Sequence, residues 1–238
     1  MHSFTFNGVN SRTYCKMFVS GGGTYNAPER DIESVSVPGR NGELTIDHGR
    51  FKNVKVTYNA WIIDNVDSNM SRARSWLCYP TGYKRLEDDY HPDEYRMARM
   101  VSGIDFNVST TTPIAATTTI QFDCMPQRWL KSGEEDVTIA SSGSTIHNPT
   151  IFPAKPLLKI TGTGEAKITI GGRSIWISDI GGSMYLDCDI ERAYSGATAK
   201  DDKITITKGY PTIPYGDVAV TYTGSITSFL ITPRWWRV

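Results

Sequence analysis

The sequence is poor in the residues that most often carry catalysis, metal binding or membrane insertion. Its 238 residues include four cysteines and four histidines. Cys15, Cys78, Cys124 and Cys188 are widely spaced and never form C-x-x-C, a poor disulfide framework and a poor zinc site. Three of them lie among apolar or aromatic neighbours, so they read as buried free thiols of a chain folded in a reducing compartment. No apolar run approaches the ~18 residues of a membrane span, and Met1-His2-Ser3-Phe4 resembles no signal peptide. The expectation is no membrane partner, with the sequons at Asn69 and Asn107 as chance matches. An excess of charge is missing too: 25 basic residues face 25 acidic ones, and each half is close to neutral. Neutralising a phosphate backbone needs clustered cations, so no specific nucleic-acid partner is expected.

Catalytic patterns are absent as well. Gly21-Gly22-Gly23 lacks the Lys-Ser/Thr of a phosphate loop, and Gly181-Gly182-Ser183-Met184 fails the Gly-x-Ser-x-Gly elbow. His91, Asp93 and Glu94 could ligate a metal, but Pro92 interrupts them and no second histidine is near, so they read as a solvated turn. Asp47-His48 reads as a turn pair. Glu87-Asp88-Asp89 reads as a solvated acidic loop, because an exposed cluster does not separate two carboxylate pKa values into acid and base. The expectation is a non-enzyme with no catalytic residue, no cofactor and no metal.

What is present reads as strand. From Val54 the residues Val54, Val56, Tyr58, Ala60 and Ile62 alternate with polar ones, the period of a half-buried strand. Upstream, Val37-Pro38-Gly39-Arg40-Asn41-Gly42 joins two strong turn formers, since proline presets φ near −65° and glycine accepts positive φ. Ile32 to Ile63 is therefore expected to form a long hairpin or extended arm, with Gly39 or Gly42 at positive φ in tight turns at its base. One helix is expected: Asp67 or Ser68 caps it, Met70, Ala73, Trp76 and Leu77 share a face, and Pro80 and Gly82 stop it. Strands follow near Tyr83–Leu86 and Tyr95–Val101. Ser109 to Thr119 reads as a loop before a strand at Ile120–Cys124.

Composition turns small, polar and acidic around Lys131–Asp136, which places a domain boundary there and gives domains 1–133 and 134–238. The second half shows about seven short strands, the pattern of a sandwich. Among them, Ile168/Ile170 and Ile175/Ile177 flank Gly171-Gly172, and Met184, Leu186, Cys188 and Ile190 share one phase. Trp176 and Tyr185 fall out of phase with their apolar neighbours. Each faces either a peripheral partner, such as a protein or a sugar ring, or a loop lining the second sheet face. Trp235-Trp236 is either an interface anchor or a strand that packs on both faces.

Several segments, taken in order, carry a resemblance. They are Phe4–Ser11, Ala27-Pro28-Glu29-Arg30, Val35–Leu44 and the helix with Trp76-Leu77. Tyr83–Asp88, Phe122-Asp123-Cys124-Met125-Pro126-Gln127 and Pro233-Arg234-Trp235-Trp236 complete the series. Together they resemble the siphophage distal tail protein (Dit) family over essentially the whole chain. The resemblance implies a mainly β protein, with an N-terminal β-sandwich bearing one helix and a β-hairpin arm, then a galectin-like β-sandwich. It implies a hexameric ring at the virion tail tip, assembled in the host cytoplasm, with a lumen for DNA passage. The expected partners are further copies of the chain, the tail tube protein, the baseplate hub and receptor-binding proteins. Val37, Pro38, Gly39, Arg40, Asn41 and Gly42 become the candidate inter-subunit residues. His147-Asn148-Pro149 echoes a galectin sugar motif, but the spacing is one residue short and Thr150 replaces its arginine. A carbohydrate-binding adhesin is the alternative function.

Overall fold

A computed structural model describes residues 1–108 and 115–238 of the chain. They divide into two compact units, Met1–Arg128 with Val238, and Trp129–Arg237.

The first unit is a curled sheet. Its strands run in the order Val9–Asn10, Phe4–Phe6, Lys84–Asp88, Glu94–Met100, Ala115–Leu130, Val54–Ile63, Met17–Ser20. The curl brings the two ends together, where His2 and Val19 exchange backbone hydrogen bonds of 3.3 and 2.9 Å. Val54–Ile63 alternates buried and solvent-facing residues as its sequence period predicts. Inside the curl Phe4 stacks on Tyr58 (ring centroids 5.1 Å apart) and on Trp76 (5.5 Å), and Phe122 meets Phe4 edge-on at 5.7 Å. Such ring pairs each add about 0.5–1.5 kcal/mol to the area they bury.

Trp76 comes from the helix Val66–Cys78, which buries Val66, Met70, Ala73, Trp76 and Leu77, and its indole N–H donates to the Phe6 carbonyl at 3.1 Å. The helix does not start at Asp67 or Ser68. Asn65, in the left-handed conformation, is its N-cap and offers no side-chain cap. The turn is tied from inside instead, because Asn69 donates to the Asp64 carbonyl at 2.8 Å. A second, five-residue helix, Ser11–Cys15, lies outside the elements expected from the sequence. Its signal was Asn10, whose side chain accepts from the Arg12 and Thr13 N–H groups. The Ser109–Thr119 loop is also corrected at one end, since a long strand already begins at Ala115. Residues 109–114 lie outside the described residues.

The arm is shorter than expected. Arg30–Ser36 pairs with Glu43–Phe51 in a two-stranded sheet of its own, whereas Val54–Ile63 belongs to the main sheet. The Pro-Gly segment is at the tip, not the base. There Pro38 and Gly39 (φ +79°) occupy the centre of a turn closed by Arg40 N–H donating to Val37 at 3.2 Å, and Gly42 follows at φ +81°.

The second unit is one nine-stranded ladder folded over on itself. Two long strands, Leu157–Ile170 and Gly216–Thr232, run through both leaves and shift register between Thr161/Gly162 and between Thr163/Ala166. At the fold their backbones touch. A Cβ on Gly162 would strike the Ser225 carbonyl, and one on Gly224 (φ +101°) the Glu165 carbonyl. Between the leaves lie Ile160, Ile168, Ile175, Met184, Leu186 and Phe229. The Gly171-Gly172 hairpin stands as read. Val218–Tyr222 and Phe229/Ile231 prove to be one 17-residue strand. Ile190 falls beyond the end of Gly182–Asp187 and is exposed.

Candidate functional site

The Arg30–Phe51 hairpin gathers a row of exposed apolar residues on one of its faces. Val35 pairs with Leu44 and Glu33 with Ile46, so these side chains share one face, which Val37 continues towards the tip. Val35, Val37, Leu44 and Ile46 are 36–44% exposed. The opposite face carries Ser34 with Thr45, Ser36 with Glu43, and Ile32 with Asp47. An isolated two-stranded hairpin is only marginally stable in water, and one with an apolar face needs a surface to cover it. Seven to nine extended residues reach about 25 Å, enough to cross a neighbouring sheet.

The base of the hairpin is tied between its own two strands. Arg50 Nε donates to Asp31 at 2.6 Å, which holds the Asp31 carboxyl below the usual range, and Arg30 sits 5.0 Å from the Phe51 ring. The preceding segment is fastened to the body of the unit. Tyr90 OH donates to the Gly21 carbonyl at 2.8 Å, Thr24 Oγ1 to Thr57 at 3.1 Å and Asn26 Nδ2 to Lys55 at 2.7 Å. The candidate residues Val37, Pro38, Gly39, Arg40, Asn41 and Gly42 are all exposed at the tip.

Of the residues expected in solvated acidic loops, Asp89 and Asp93 are exposed, whereas Asp88 and Glu94 are withdrawn from solvent. Asp88 is almost buried and accepts from Tyr58 OH at 2.6 Å, from the Tyr90 N–H at 3.1 Å and from the His91 N–H at 2.9 Å. Burial and the Asp88 charge push the Tyr58 phenol well above its ordinary pKa. Glu94 is buried 2.6 Å from Arg128, and Asp89 accepts from both the N–H and the hydroxyl of Ser3. These carboxylates bind the chain start and the strand Val54–Ile63 to the sheet. Tyr58, Arg128 and Ser3 lie 30, 34 and 86 residues from Asp88, Glu94 and Asp89, beyond the reach of local sequence reading. Among the described residues no group of three or more His, Cys, Asp or Glu is placed to hold a metal. Burial raises the Cys15 thiol to about 11 and those of Cys124 and Cys188 to about 12, so none is a nucleophile near neutral pH.

In the second unit Trp176 is half exposed on the outer side of its leaf, with Lys167 Nζ 4.4 Å from the ring centre. Tyr185 stacks on Tyr194 at 5.4 Å. The two aromatics are not brought together. Trp176 pairs with the far half of Leu157–Ile170 and Tyr185 with the near half, on opposite sides of the fold-over. Asn148 of the galectin-like echo is fully buried. It donates to the Phe152 and Ile213 carbonyls and accepts from Thr150, so it braces a loop. Trp235 is buried, while Trp236 stacks on Phe152 at 4.4 Å and donates to the Pro153 carbonyl, so the pair packs on both faces.

No protein-family model matches the sequence, and no curated protein does. Among solved structures the chain is similar to the SPP1 Dit (gp 19.1) protein, described as a paradigm of the hub adsorption apparatus in phages infecting Gram-positive hosts. The TM-score is 0.77 at 10% sequence identity, with 100% of both chains covered. The likeness establishes a mainly β, Dit-like fold for the chain.

Proposed function

We propose that a chain with this fold is a structural component of a phage tail tip, not an enzyme. In this reading the chain closes into a ring, six-fold by analogy with the Dit family, around a lumen for DNA. The ring joins the tail tube to the baseplate hub and offers its second unit to receptor-binding proteins. The protein assembles in the host cytoplasm and ends in the virion. The observation that carries the reading is the Arg30–Phe51 hairpin with its uncovered apolar face. In a cyclic assembly the contact is heterologous, so the hairpin of one subunit lies on a different surface of the next. The apolar core of the first unit and the burial of Cys15 and Cys124 within it support the non-enzymatic part.

Mass photometry of the purified protein, alone and with hub protein, tests this. A closed oligomer of defined size is expected. Only monomer under both conditions, across a wide concentration range, overturns it.

A further inference from the structure

One leaf of the second unit carries an outer face of mixed aromatic and hydroxyl chemistry. Strand register places four side chains in a row across its outer face: Thr223 opposite Lys167, Lys167 opposite Trp176, and Trp176 opposite Thr205. The next row has Thr169 between Thr221 and Ser174. The intervening residues Ile168, Ile170, Ile175 and Ile177 all turn inward and are buried. Trp176, 50% exposed, is the one exposed tryptophan among the described residues. Beside it opens a groove of about 400 Å³, lined by Glu165, Lys167, Ser178, Thr205 and Thr223.

The composition of this face selects its ligand. An indole offers a flat apolar surface that suits the C–H face of a pyranose ring. Each threonine or serine hydroxyl both donates and accepts, matching the hydroxyls of a sugar. The groove has one acidic and one basic residue, Glu165 and Lys167, so it presents no net charge to a phosphate, a nucleic acid or an acidic peptide. A protein-binding hot spot would surround the tryptophan with further apolar anchors, whereas here its neighbours across the strands are a lysine and a threonine. We propose that this face binds a neutral polysaccharide, with Trp176 stacking on a sugar ring and Ser178, Thr205 and Thr223 bonding its hydroxyls. The Lys167 stem, flexible and lying over the indole, moves aside on binding. The proposal needs no ring and stands whether or not the chain assembles.

The test uses the full chain and linear hexasaccharides of glucose, galactose and N-acetylglucosamine, read by saturation-transfer NMR and titration calorimetry. At least one is expected to bind with sub-millimolar affinity. Trp176→Ala is expected to weaken that binding about ten-fold or more, while Trp176→Tyr, which keeps a stacking ring, retains most of it. Thr223→Val weakens it less than Trp176→Ala. The side chain is outside the core, so the variants keep the parent melting temperature and oligomeric state. No binding to any of the three sugars overturns the proposal, as does binding that Trp176→Ala leaves intact. Loss of a phage protein partner in Trp176→Ala, with no sugar bound by the parent, also overturns it and gives the face to protein docking.

Discussion

Two hairpins in this chain are built from the same kind of sequence and end in opposite states. Arg30–Phe51 and Leu157–Ile177 both alternate apolar with polar residues and both turn through glycines. In the second hairpin Ile168, Ile170, Ile175 and Ile177 are almost fully buried, because Gly216–Thr232 flanks it and the opposite leaf covers it. In the first, Val35, Leu44 and Ile46 remain at the surface, and among the described residues no third strand lies beside them. Alternation says that one face is to be buried. It does not say by which chain.

The sharpest way to break the self-sufficiency of the second hairpin is at the fold-over. Gly224→Ala forces a side chain into the Glu165 carbonyl at a φ of +101°. Overpacking and backbone strain together are expected to cost about 3–5 kcal/mol, read as a lower urea midpoint. Residues 129–237 expressed alone are expected to unfold cooperatively, so that the loss is measured in that unit. A fragment lacking a cooperative transition would show that its burial depends on the rest of the chain.

Next in size is the clamp at the end of the same ladder. Arg234 grips buried Asp187 with two hydrogen bonds of 2.7 and 2.8 Å. Burial alone would raise this carboxyl, but the Arg234 hydrogen bonds and charge and two backbone N–H groups outweigh it and hold the pKa below the ordinary carboxylate value. A carboxyl depressed on folding contributes stability fully above its unfolded pKa, and that contribution disappears as pH falls through the folded value. The melting temperature of the second unit is therefore expected to drop below about pH 4. Asp187→Asn is expected to cost about 2–4 kcal/mol at pH 7 and to flatten this acid limb in a thermal-melt series.

The arm should respond in the reverse sense. Val35→Ser with Leu44→Ser removes exposed apolar area, so the stability of the isolated subunit is expected to change by less than about 0.5 kcal/mol. The oligomer seen by mass photometry should nevertheless be lost. Gly39→Val, which strains the tip by about 1–2 kcal/mol, should weaken assembly with a smaller effect. An intact ring from the double variant would mean that the apolar face is not what joins subunits.

The smallest expected effect concerns DNA. With cations interleaved among acids, as in Arg30-Asp31-Ile32-Glu33, duplex binding should be no tighter than about micromolar at physiological salt and should weaken as salt rises. A salt-insensitive nanomolar complex in a filter-binding assay would contradict the charge argument.

The strands were legible wherever a local period decides the matter. Val54–Ile63, the Gly171-Gly172 hairpin and the inward face of Val66–Cys78 follow from side-chain spacing alone. Turn chemistry called for positive φ at Gly39 or Gly42, and both have it, at the tip of the arm and not its base. The failures share a cause. Asp88 reads as solvated because Tyr58 is distant in sequence, and the loop-bracing role of Asn148 is illegible because its partner Ile213 is equally distant. The start of Val66–Cys78 differs because the chain enters it through Asp64 and Asn65 in the left-handed conformation, and Asn65, a favoured N-cap residue type, makes no side-chain cap bond there.

By itself, then, the sequence determined that the chain is mainly β, where most of its strands alternate, and which tip residues turn. Those properties depend on φ preferences and on a two-residue period, both local. Only the tertiary structure decided that Arg30–Phe51 stands apart from Val54–Ile63, and that two long strands bend over Gly162 and Gly224 to make both leaves. It also decided that Thr223, Lys167, Trp176 and Thr205 meet in one row. Each of these is a question of which distant segment a strand pairs with. Cross-strand pairing energies of about 0.2–1 kcal/mol are too small and too similar for one strand's sequence to name its neighbour, so the choice belongs to the packing of the whole.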